Sequence, residues 1–293
     1  MRNALILSAA CLLALGACGK KAETPAGPVA GAETPVVPAE APAAQPESPL
    51  PDPVETKVAD LPRSITVDND VLKADIRFDE AIFSFAPAIA MDVVEDARVR
   101  LDAMQEDAAA YKQADPTYFR PYGLKIDWRV TGAAGRLVGL EGFQYTFSGG
   151  AHGNYMTDGR IYDTLTGDQL KIGDLFTDPE PAATALAQTL YKAIAAAKVA
   201  RNRNSAGYEM FLGESEDALS LSDILAGDIS LIASTEEGKL GGFALHFAPY
   251  EVGSYAEGAY HITIPQSEFH QYLKTAYADL FAGEPVEIKR PDN

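Results

Sequence analysis

One segment of the chain alternates apolar and polar side chains without a break. Residues 124–130 place Leu, Ile, Trp and Val on one face and Lys, Asp and Arg on the other. This period of two residues is typical of a half-buried antiparallel strand. Further strands are predicted at 71–78, around 143–147, and at 155–163, 229–235, 240–248 and 259–264.

Other segments repeat apolar residues every three or four positions, which predicts amphipathic helices. The first lies beyond Pro87 and is stopped by Asp115-Pro116. The second opens at Thr177–Glu180, a capping box with proline at the first helical position. Residues 214–228 are predicted as helix plus loop, and a C-terminal helix is predicted from a stripe between Phe269 and Leu280.

In order, the predicted elements are β-α-β-β-β-α-β-β-β-α. This order indicates an α+β fold, in which antiparallel sheets carry amphipathic helices packed on them. The fold is expected to occupy residues 63–293. A segment of about 230 residues is long enough for one large domain or for two intimate lobes, about 63–165 and 166–293.

Residues 1–17 have the pattern of an export signal. Arg2 precedes an apolar stretch, Leu5 to Leu15, that is too short to span a bilayer. The stretch ends in Leu15-Gly16-Ala17-Cys18, which resembles the lipobox of bacterial lipoproteins and predicts that Cys18 is lipidated. An ordinary secretory signal with an incidental cysteine is the alternative. Because Gly19 follows the cysteine, resemblance to Gram-negative sorting rules predicts an outer-membrane lipoprotein that faces the periplasm.

Residues 18–62 are predicted to form a disordered Ala/Pro/Glu-rich tether behind the lipidated cysteine. Ten of the 19 prolines lie between Pro25 and Pro62, and all aromatic residues lie at or after Phe78. A segment without large apolar side chains cannot form a packed core, and its prolines favour an extended backbone. We expect the tether to hold the folded part away from the membrane.

The net charge of the chain limits the classes of molecule that it can bind. The formal net charge is −18, and residues 63–293 contribute −15 of it through 20 basic and 35 acidic groups. Such a surface repels phosphate backbones and anionic lipid, so we expect no nucleic-acid partner and contact with the membrane through the lipid anchor only. A basic protein partner suits this charge better.

The common catalytic motifs are absent from the sequence, which has no G-x-S-x-G, H-E-x-x-H, Walker or G-x-G-x-x-G pattern. We therefore predict no catalytic residues and no cofactor. His246 and His261 are weak candidates for a metal or proton-relay site, because they alternate with apolar residues in two strands that are expected to pair. Solvent-facing strand positions are the alternative for both histidines.

The most unusual local feature is the segment Tyr145–Tyr155, YTFSGGAHGNY, with three glycines in five positions. One interpretation is a binding loop that presents His152 and Asn154 among tyrosines. The other is a bulged hairpin in which His152 hydrogen-bonds its own loop. The sequence leaves both interpretations open.

Residues 145–176 resemble the signature of a bacterial extracytoplasmic domain family. It occurs in the lysozyme-sensing region of RsiV-type anti-sigma factors and in the accessory N-terminal module of PdaC-type peptidoglycan deacetylases. The matching positions are Gly149-Gly150-Ala151-His152-Gly153, Thr166-Gly167, Leu170, Asp174-Leu175-Phe176, and a second group at Phe247–Val252, Tyr255 and Ile262–Pro265.

The resemblance implies an α+β binding domain that acts near the cell wall, here as a stand-alone lipoprotein. In the RsiV-type proteins it recognises lysozyme, a strongly basic protein. The sequence shows neither a sigma-binding segment with a transmembrane helix nor a deacetylase domain with its metal motifs. We therefore expect neither an anti-sigma role nor deacetylation.

The leading hypothesis is a non-enzymatic, lipid-anchored periplasmic binding module whose ligand is a lysozyme-like protein or peptidoglycan. The ligand-binding candidates come from two irregular loops and are His152, Asn154, Tyr155, Tyr250, Glu251 and Tyr255. One alternative is a wall hydrolase that uses a carboxylate pair or the histidines. A further alternative is a structural envelope protein that binds another lipoprotein.

Overall fold

The computed structural model describes residues 58–288, all of which lie in one compact unit. The predicted signal peptide, Cys18 and the tether up to residue 57 lie outside the described residues. The fold begins before Arg63, because Leu61 is buried in the core. The Arg63 guanidinium also donates to the carbonyl oxygens of Val58 and Leu61, at 3.1 and 2.9 Å. Within residues 58–288, no helix has the length and apolarity needed to cross a bilayer.

The first half of the fold is a sheet of six strands in the order β1-β2-β3-β4-β5-β6. All neighbours are antiparallel except β2 and β3, which are parallel. The strands are β1 (Ser64–Asp68), β2 (Leu72–Phe78), β3 (Tyr122–Ala134), β4 (Leu137–Phe147), β5 (Asn154–Asp163) and β6 (Gln169–Leu170).

Helix α1 (Pro87–Ala114) connects β2 to β3 and explains their parallel pairing. A strand that returns beside its predecessor after a crossover helix runs in the same direction as that predecessor. The expectation of wholly antiparallel sheets is therefore wrong at this one pair. The predicted end of the helix at Asp115-Pro116 is confirmed, since Asp115 is its C-cap.

The second half of the fold is built on a three-stranded antiparallel sheet, in the order β7-β8-β9. Its elements are α2 (Pro179–Asn202), α3 (Tyr208–Ala218), α4 (Leu221–Ala226), β7 (Ile229–Ala233), β8 (Leu240–Phe247), β9 (Tyr260–Pro265) and the short α5 (Thr275–Ala278). The N-cap of α2 is Asp178, whose carboxylate accepts from the Glu180 N–H at 3.2 Å. The predicted capping box at Thr177 is thus one residue early.

The α+β class is confirmed, but the order differs from the predicted one at β1, at the two-residue β6 and at the C-terminal helix. Strand β1 was not predicted; it is an edge strand held to β2 by a turn in which Asn69 accepts from the Val71 and Leu72 amides. The predicted C-terminal helix is wrong, because residues 266–278 form short 3-10 turns and the four-residue α5. The apolar stripe there reflects burial, since Phe269 is fully buried and stacks on Phe243 at 4.1 Å.

Two hydrophobic clusters lie on opposite faces of the six-stranded sheet. On β4, Leu137 belongs to one cluster and the next residue, Val138, to the other. On β5, Ile161 and Tyr162 divide in the same way. Because neighbouring residues of a strand point to opposite faces, α1 covers one face and the β7-β8-β9 sheet covers the other.

Three glycines on adjacent strands allow β7 to lie directly on the backbone of the six-stranded sheet. A Cβ atom on Gly132 of β3 would lie 2.6 Å from the Ala233 nitrogen, and one on Gly159 of β5 would lie 2.6 Å from the Ile229 nitrogen. Between them, a Cβ atom on Gly139 of β4 would overlap the backbone of Leu231. Side chains at these positions would therefore push the two sheets apart.

We predict that Gly139→Ala destabilises the domain by about 3 kcal/mol, because the added methyl group meets backbone atoms that cannot rotate away. Urea unfolding followed by circular dichroism measures the change. The control is Gly213→Ala in α3, where an added Cβ meets nothing within 4 Å. There the better helix propensity of alanine should stabilise the domain by up to about 1 kcal/mol. If both substitutions changed the free energy of unfolding equally, close contact between β7 and the backbone of the six-stranded sheet would be contradicted.

Candidate functional site

The two loops that contain the predicted ligand-binding residues meet in the structure. The His152 ring, in the loop between β4 and β5, stacks on Tyr255, in the loop between β8 and β9. Their centroids are 4.5 Å apart and their planes are inclined by 30°. Tyr250 lies beside Tyr255 at 5.5 Å. We refer to His152, Tyr250 and Tyr255 as the aromatic surface.

Hydrogen bonds at its base hold the aromatic surface together. The Tyr255 hydroxyl donates to the Gly153 carbonyl oxygen at 2.8 Å and so joins the two loops. Nδ1 of His152 lies 3.0 Å from the same oxygen. Because a carbonyl oxygen only accepts, this contact requires the proton on Nδ1. His152 thus bonds its own loop, as the hairpin interpretation expected, while its ring also contacts the second loop.

The loop between β4 and β5, residues 148–153, is called the glycine loop, and Arg120 also holds it in place. The Arg120 guanidinium donates to the carbonyl oxygens of Gly149 and Gly150, at 2.6 and 3.0 Å. Gly149 has φ +83°, a conformation that favours glycine. Gly153 lies against the ring of Tyr145, where a Cβ atom would overlap the phenol. These glycines therefore shape the loop, and the loop in turn fixes the position of His152.

Tyr250 is an exposed member of the aromatic surface, with 73% of its surface open to solvent. Its backbone has φ +80°, which is uncommon for any residue other than glycine and costs conformational energy. The next residue, Glu251, closes the turn by accepting from the Ala248 N–H at 2.7 Å. The turn thereby presents a large ring to solvent on a strained backbone.

The remaining two candidates lie at the start of β5 and differ in their surroundings. Asn154 is exposed, and its carbonyl oxygen accepts from the Thr146 hydroxyl at 3.5 Å. Tyr155 lies beneath the surface: its ring stacks with Phe143, and its hydroxyl accepts from the Ala259 N–H at 3.2 Å. Tyr155 therefore supports the second loop, whereas Asn154 is free to face a ligand.

Glu257, which was not predicted as a site residue, organises the turn that carries Tyr255. One carboxylate oxygen accepts from the Ser254 amide and hydroxyl, at 2.9 and 3.0 Å. The other accepts from Tyr260 at 2.6 Å and from Asn202 at 3.3 Å. Partial desolvation opposes the charged form, but the bonds from Tyr260, Ser254 and Asn202 outweigh it and lower the pKa of Glu257 to about 2. The only signal in the sequence was the spacing Ser254-x-x-Glu257 of a capping box.

The two histidines proposed as a weak metal site are cross-strand neighbours. His246 and His261 pair directly between β8 and β9, with their Nδ1 atoms 3.0 Å apart. His246 is buried, and its Nε2 contacts Ser230 Oγ at 3.0 Å and Glu141 at 3.6 Å. Among the described residues, no three His, Cys, Asp or Glu side chains are grouped so that they could hold a metal ion. The pair belongs to a buried polar cluster between the sheets.

A second polar region, not predicted from the sequence, lies where α1 covers β5. Arg160 forms ion pairs with Asp92, Asp96 and Asp158, at 3.1, 3.0 and 2.8 Å. Its guanidinium also lies over the Trp128 ring, 4.5 Å from the centroid. Asp158 precedes Arg160 on the same strand, whereas Asp92 and Asp96 lie on α1 and reach it only because the β2-α1-β3 crossover packs that helix on the sheet.

Asp228 precedes β7 at the other side of β5, in a depression of about 200 Å³. One side of this carboxylate is open to solvent. Partial desolvation, together with the negative charges of Asp158 and Glu251, nevertheless raises the pKa of Asp228 to about 6.

Two protein families match the described part of the chain. The family described as Deacetylase PdaC matches residues 64–155, and the family described as a protein of unknown function, DUF3298, matches residues 173–267. The two matched segments together cover most of the described residues. This confirms the resemblance to the RsiV-like and PdaC-like accessory domains.

The PdaC-like segment contains His152 and Tyr155, and the DUF3298 segment contains Tyr250, Glu251 and Tyr255. The aromatic surface is therefore formed jointly by the two matched segments. None of the curated proteins matches this chain.

Two solved structures of DUF3298 family proteins align with the chain. One is from Bacteroides fragilis, with 20% identity, a TM-score of 0.45, and coverage of 74% of this chain and 95% of that protein. The other is from Pseudomonas aeruginosa, with 18% identity, a TM-score of 0.42, and coverage of 73% and 88% respectively.

We predict that Glu257→Gln lowers the melting temperature at pH 7 and that the difference narrows in acid. A carboxyl group whose folded pKa lies below its unfolded value stabilises the fold above the unfolded pKa, about 4.5. That contribution is lost as the pH falls from there through about 2, the folded pKa. Melting curves from pH 2 to 7 for both proteins provide the measurement. A difference that stays constant over this range would contradict a charged role for Glu257.

Proposed function

We propose that this protein is a non-enzymatic binding module of the cell envelope and that the aromatic surface is its ligand-binding site. The observation that carries the proposal is the stacking of His152 on Tyr255, with Tyr250 exposed beside them. The position of Tyr250 costs conformational energy, because its backbone is strained, and its ring gains little burial in return. Such strain is common where a side chain is held ready for a ligand.

The chemistry of the surface suits either of two envelope ligands. Exposed rings with polar neighbours, here Asn154 and Glu251, suit stacking and hydrogen bonding to the sugars of peptidoglycan. Exposed tyrosines also anchor protein interfaces, and the net charge of −18 favours a basic protein such as one resembling lysozyme. The PdaC-like and DUF3298 regions support a module of the cell envelope.

The proposed location is the periplasmic face of the outer membrane. The apolar stretch that ends at Cys18 supports lipidation of that residue, and the proline-rich segment after it supports a tether. The anchor places the aromatic surface within reach of the cell wall. Metabolic labelling with an alkynyl fatty acid, compared between the wild type and Cys18→Ser, tests the anchor.

The proposal is tested by mixing the full chain, purified in mild detergent, with isolated sacculi and, separately, with c-type lysozyme. Co-sedimentation measures the first interaction and size-exclusion chromatography the second, each over a range of salt concentrations. Screening should weaken a charge-driven lysozyme complex more than a stacked sugar complex. Absence of binding to both ligands at low salt would overturn the proposed ligands and favour the structural alternative.

We predict that Tyr250→Ala weakens binding to the responding ligand by about tenfold, because removal of a central ring costs on the order of 1–2 kcal/mol at an interface. The melting temperature should stay nearly unchanged, since the ring is 73% exposed and its strained backbone is retained. Co-sedimentation or calorimetric titration supplies the affinity.

Tyr118→Ala is the matched control, because Tyr118 is 78% exposed and lies in a different loop. It should leave the affinity unchanged. Equal losses for the two variants, or a large fall in the melting temperature of Tyr250→Ala, would argue against the aromatic surface as the site.

A wall hydrolase is the second candidate, and the raised pKa of Asp228 favours it. A carboxyl group with a pKa of about 6 is still partly protonated near neutral pH and suits a general acid. On this hypothesis, digestion of sacculi decreases as the pH rises above about 6 and is abolished in Asp228→Asn. Asp107→Asn, an exposed carboxylate on α1, is the control. Release of soluble muropeptides is the readout, and identical release by the wild type and Asp228→Asn would reject the hypothesis.

A further inference from the structure

Strand β1 lies at one end of the six-stranded sheet and has one open edge. Along its inner edge it pairs with β2 from Ser64 to Asp68. Within residues 58–288, no strand pairs with its outer edge. Just before the strand, Leu61 is buried in the hydrophobic cluster beneath α1, so the chain enters β1 from that face of the sheet.

Hydrogen bonds at the two ends of β1 show which of its backbone groups are directed outward. The Phe78 amide donates to the Arg63 carbonyl oxygen, and the Asn69 amide donates to the Leu72 carbonyl oxygen, both at 3.1 Å. Residues 63 and 69 therefore bond toward β2. Because the direction alternates along a strand, and the β1–β2 register has no bulge, the even-numbered residues direct both N–H and C=O outward. These residues are Ser64, Thr66 and Asp68.

The outward residues are accessible to an added strand. Ser64, Thr66 and Asp68 are all exposed to solvent, and the side chain of Asp68 is 74% exposed. They offer six main-chain hydrogen-bonding groups in all. Ile65 and Val67, which alternate with them, are only half-buried against the cluster beneath α1. An added strand therefore gains both hydrogen bonds and apolar contact at this edge.

The sequence of β1 is complementary to itself when two copies pair antiparallel about Thr66. In that register Thr66 faces Thr66 of the second copy and Ser64 faces Asp68, so every outward residue meets an outward residue. Ile65 then faces Val67 at the closely spaced, non-hydrogen-bonded sites, where pairs of β-branched side chains pack well. No other twofold register matches both sets, and one centred on Asp68 brings two carboxylates together.

The local charge also suits a second copy better than a strongly charged partner. The charged residues of β1 and β2 are two acids and two bases, so their charges cancel although the whole chain carries −18. They form two ion pairs, Lys73 with Asp68 at 3.6 Å and Arg77 with Asp75 at 2.6 Å. A basic or acidic segment of another protein therefore gains no net attraction at this edge.

We propose that two copies of this protein associate through β1, so that their six-stranded sheets join antiparallel into one continuous sheet. The twofold axis passes between the two Thr66 residues, and six main-chain hydrogen bonds form across it. The two Ile65–Val67 pairs extend the apolar cluster beneath α1 from one copy into the other. This contact uses no residue of the aromatic surface and does not depend on the ligand bound there.

The N-terminal segment of this chain is a poor occupant of the same edge. Residues 25–62 contain ten prolines, and proline lacks the N–H group that a paired strand donates. The same segment contains no aromatic residue. Backbone chemistry therefore favours β1 of a second copy.

Cross-linking of introduced cysteines tests the contact. The full chain is purified in mild detergent with Cys11→Ser and Cys18→Ser, so that an introduced cysteine is its only thiol. Residues in a hydrogen-bonded antiparallel pair have Cα atoms about 5.5 Å apart, which is within the range of a disulfide. Thr66→Cys should therefore give a disulfide-linked dimer under mild oxidation. Thr117→Cys, in the exposed loop between α1 and β3, is the control and should give at least about tenfold less.

A mixture of two variants tests the direction and the register of the pairing. Ser64→Cys and Asp68→Cys, carrying tags of different length, should form mixed dimers at least about tenfold more than either variant forms with itself. The reason is that equivalent positions lie four residues, or about 13 Å, apart along the paired strands, beyond the reach of a disulfide.

Two measurements without cross-linking complete the test. Well above the dissociation constant of the dimer, amide hydrogen exchange should slow by about tenfold at Ser64, Thr66 and Asp68. The amides of Ile65 and Val67, which already donate to β2, should change little. Thr66→Lys places two ammonium groups side by side at the axis and should weaken the dimer by about tenfold in sedimentation analysis, whereas Thr117→Lys should not.

Three outcomes would refute association through β1. One is a protein that stays monomeric at every concentration, another is equal linking of Thr66→Cys and Thr117→Cys, and the third is linking of Ser64→Cys with itself as readily as with Asp68→Cys. None of these outcomes bears on Tyr250, so the proposed function of the aromatic surface stands or falls on its own experiment.

Discussion

The fold depends on the close approach of two sheets, where β7 crosses three strands of the larger sheet. Contact between two backbones requires positions without side chains, and Gly132, Gly139 and Gly159 supply one on each strand. Sheets normally pack about 10 Å apart because side chains separate them. Here the backbone of β7 touches the backbone of the larger sheet at the three glycines, and this contact positions the rest of the smaller sheet.

The crossing also determines where the aromatic surface forms. Once β7 is fixed against β5, its partner β8 ends beside the glycine loop, and the loop that follows β8 reaches His152. Two hydrogen bonds then join the two loops. The Tyr255 hydroxyl donates to the Gly153 carbonyl oxygen, and the Tyr155 hydroxyl accepts from the Ala259 N–H. Glu257 holds the second loop in a shape that brings Tyr255 to this contact. The surface is a consequence of packing between the two matched segments.

Sequence patterns predicted the parts of the fold that local physics controls. The alternation at 124–130 and the proline after Asp115 act over a few residues, and the structure confirms the strand and the helix end. The parallel pairing of β2 with β3 depends on a crossover of more than forty residues, which periodicity does not encode. The apolar stripe at 269–280 has helical spacing, but burial against Phe243 determines its conformation. Tertiary packing overrides local preference there.

The glycines of residues 123–173 show why the candidate site could be predicted only in part. The three glycines at positions 149, 150 and 153 pointed to the His152 loop, and that loop does meet the second set of candidates. Yet Gly132, Gly139 and Gly159 serve the crossing, and only Gly149 and Gly153 shape the loop. A glycine needed for close approach and one needed for a turn look identical in a sequence, although the first is required by neighbours distant along the chain and the second by its own backbone angle. The network around Arg160 was missed because Asp92 and Asp96 reach it only once α1 has packed on the sheet, and the bond from Asn202 to Glu257 likewise joins residues far apart in the chain.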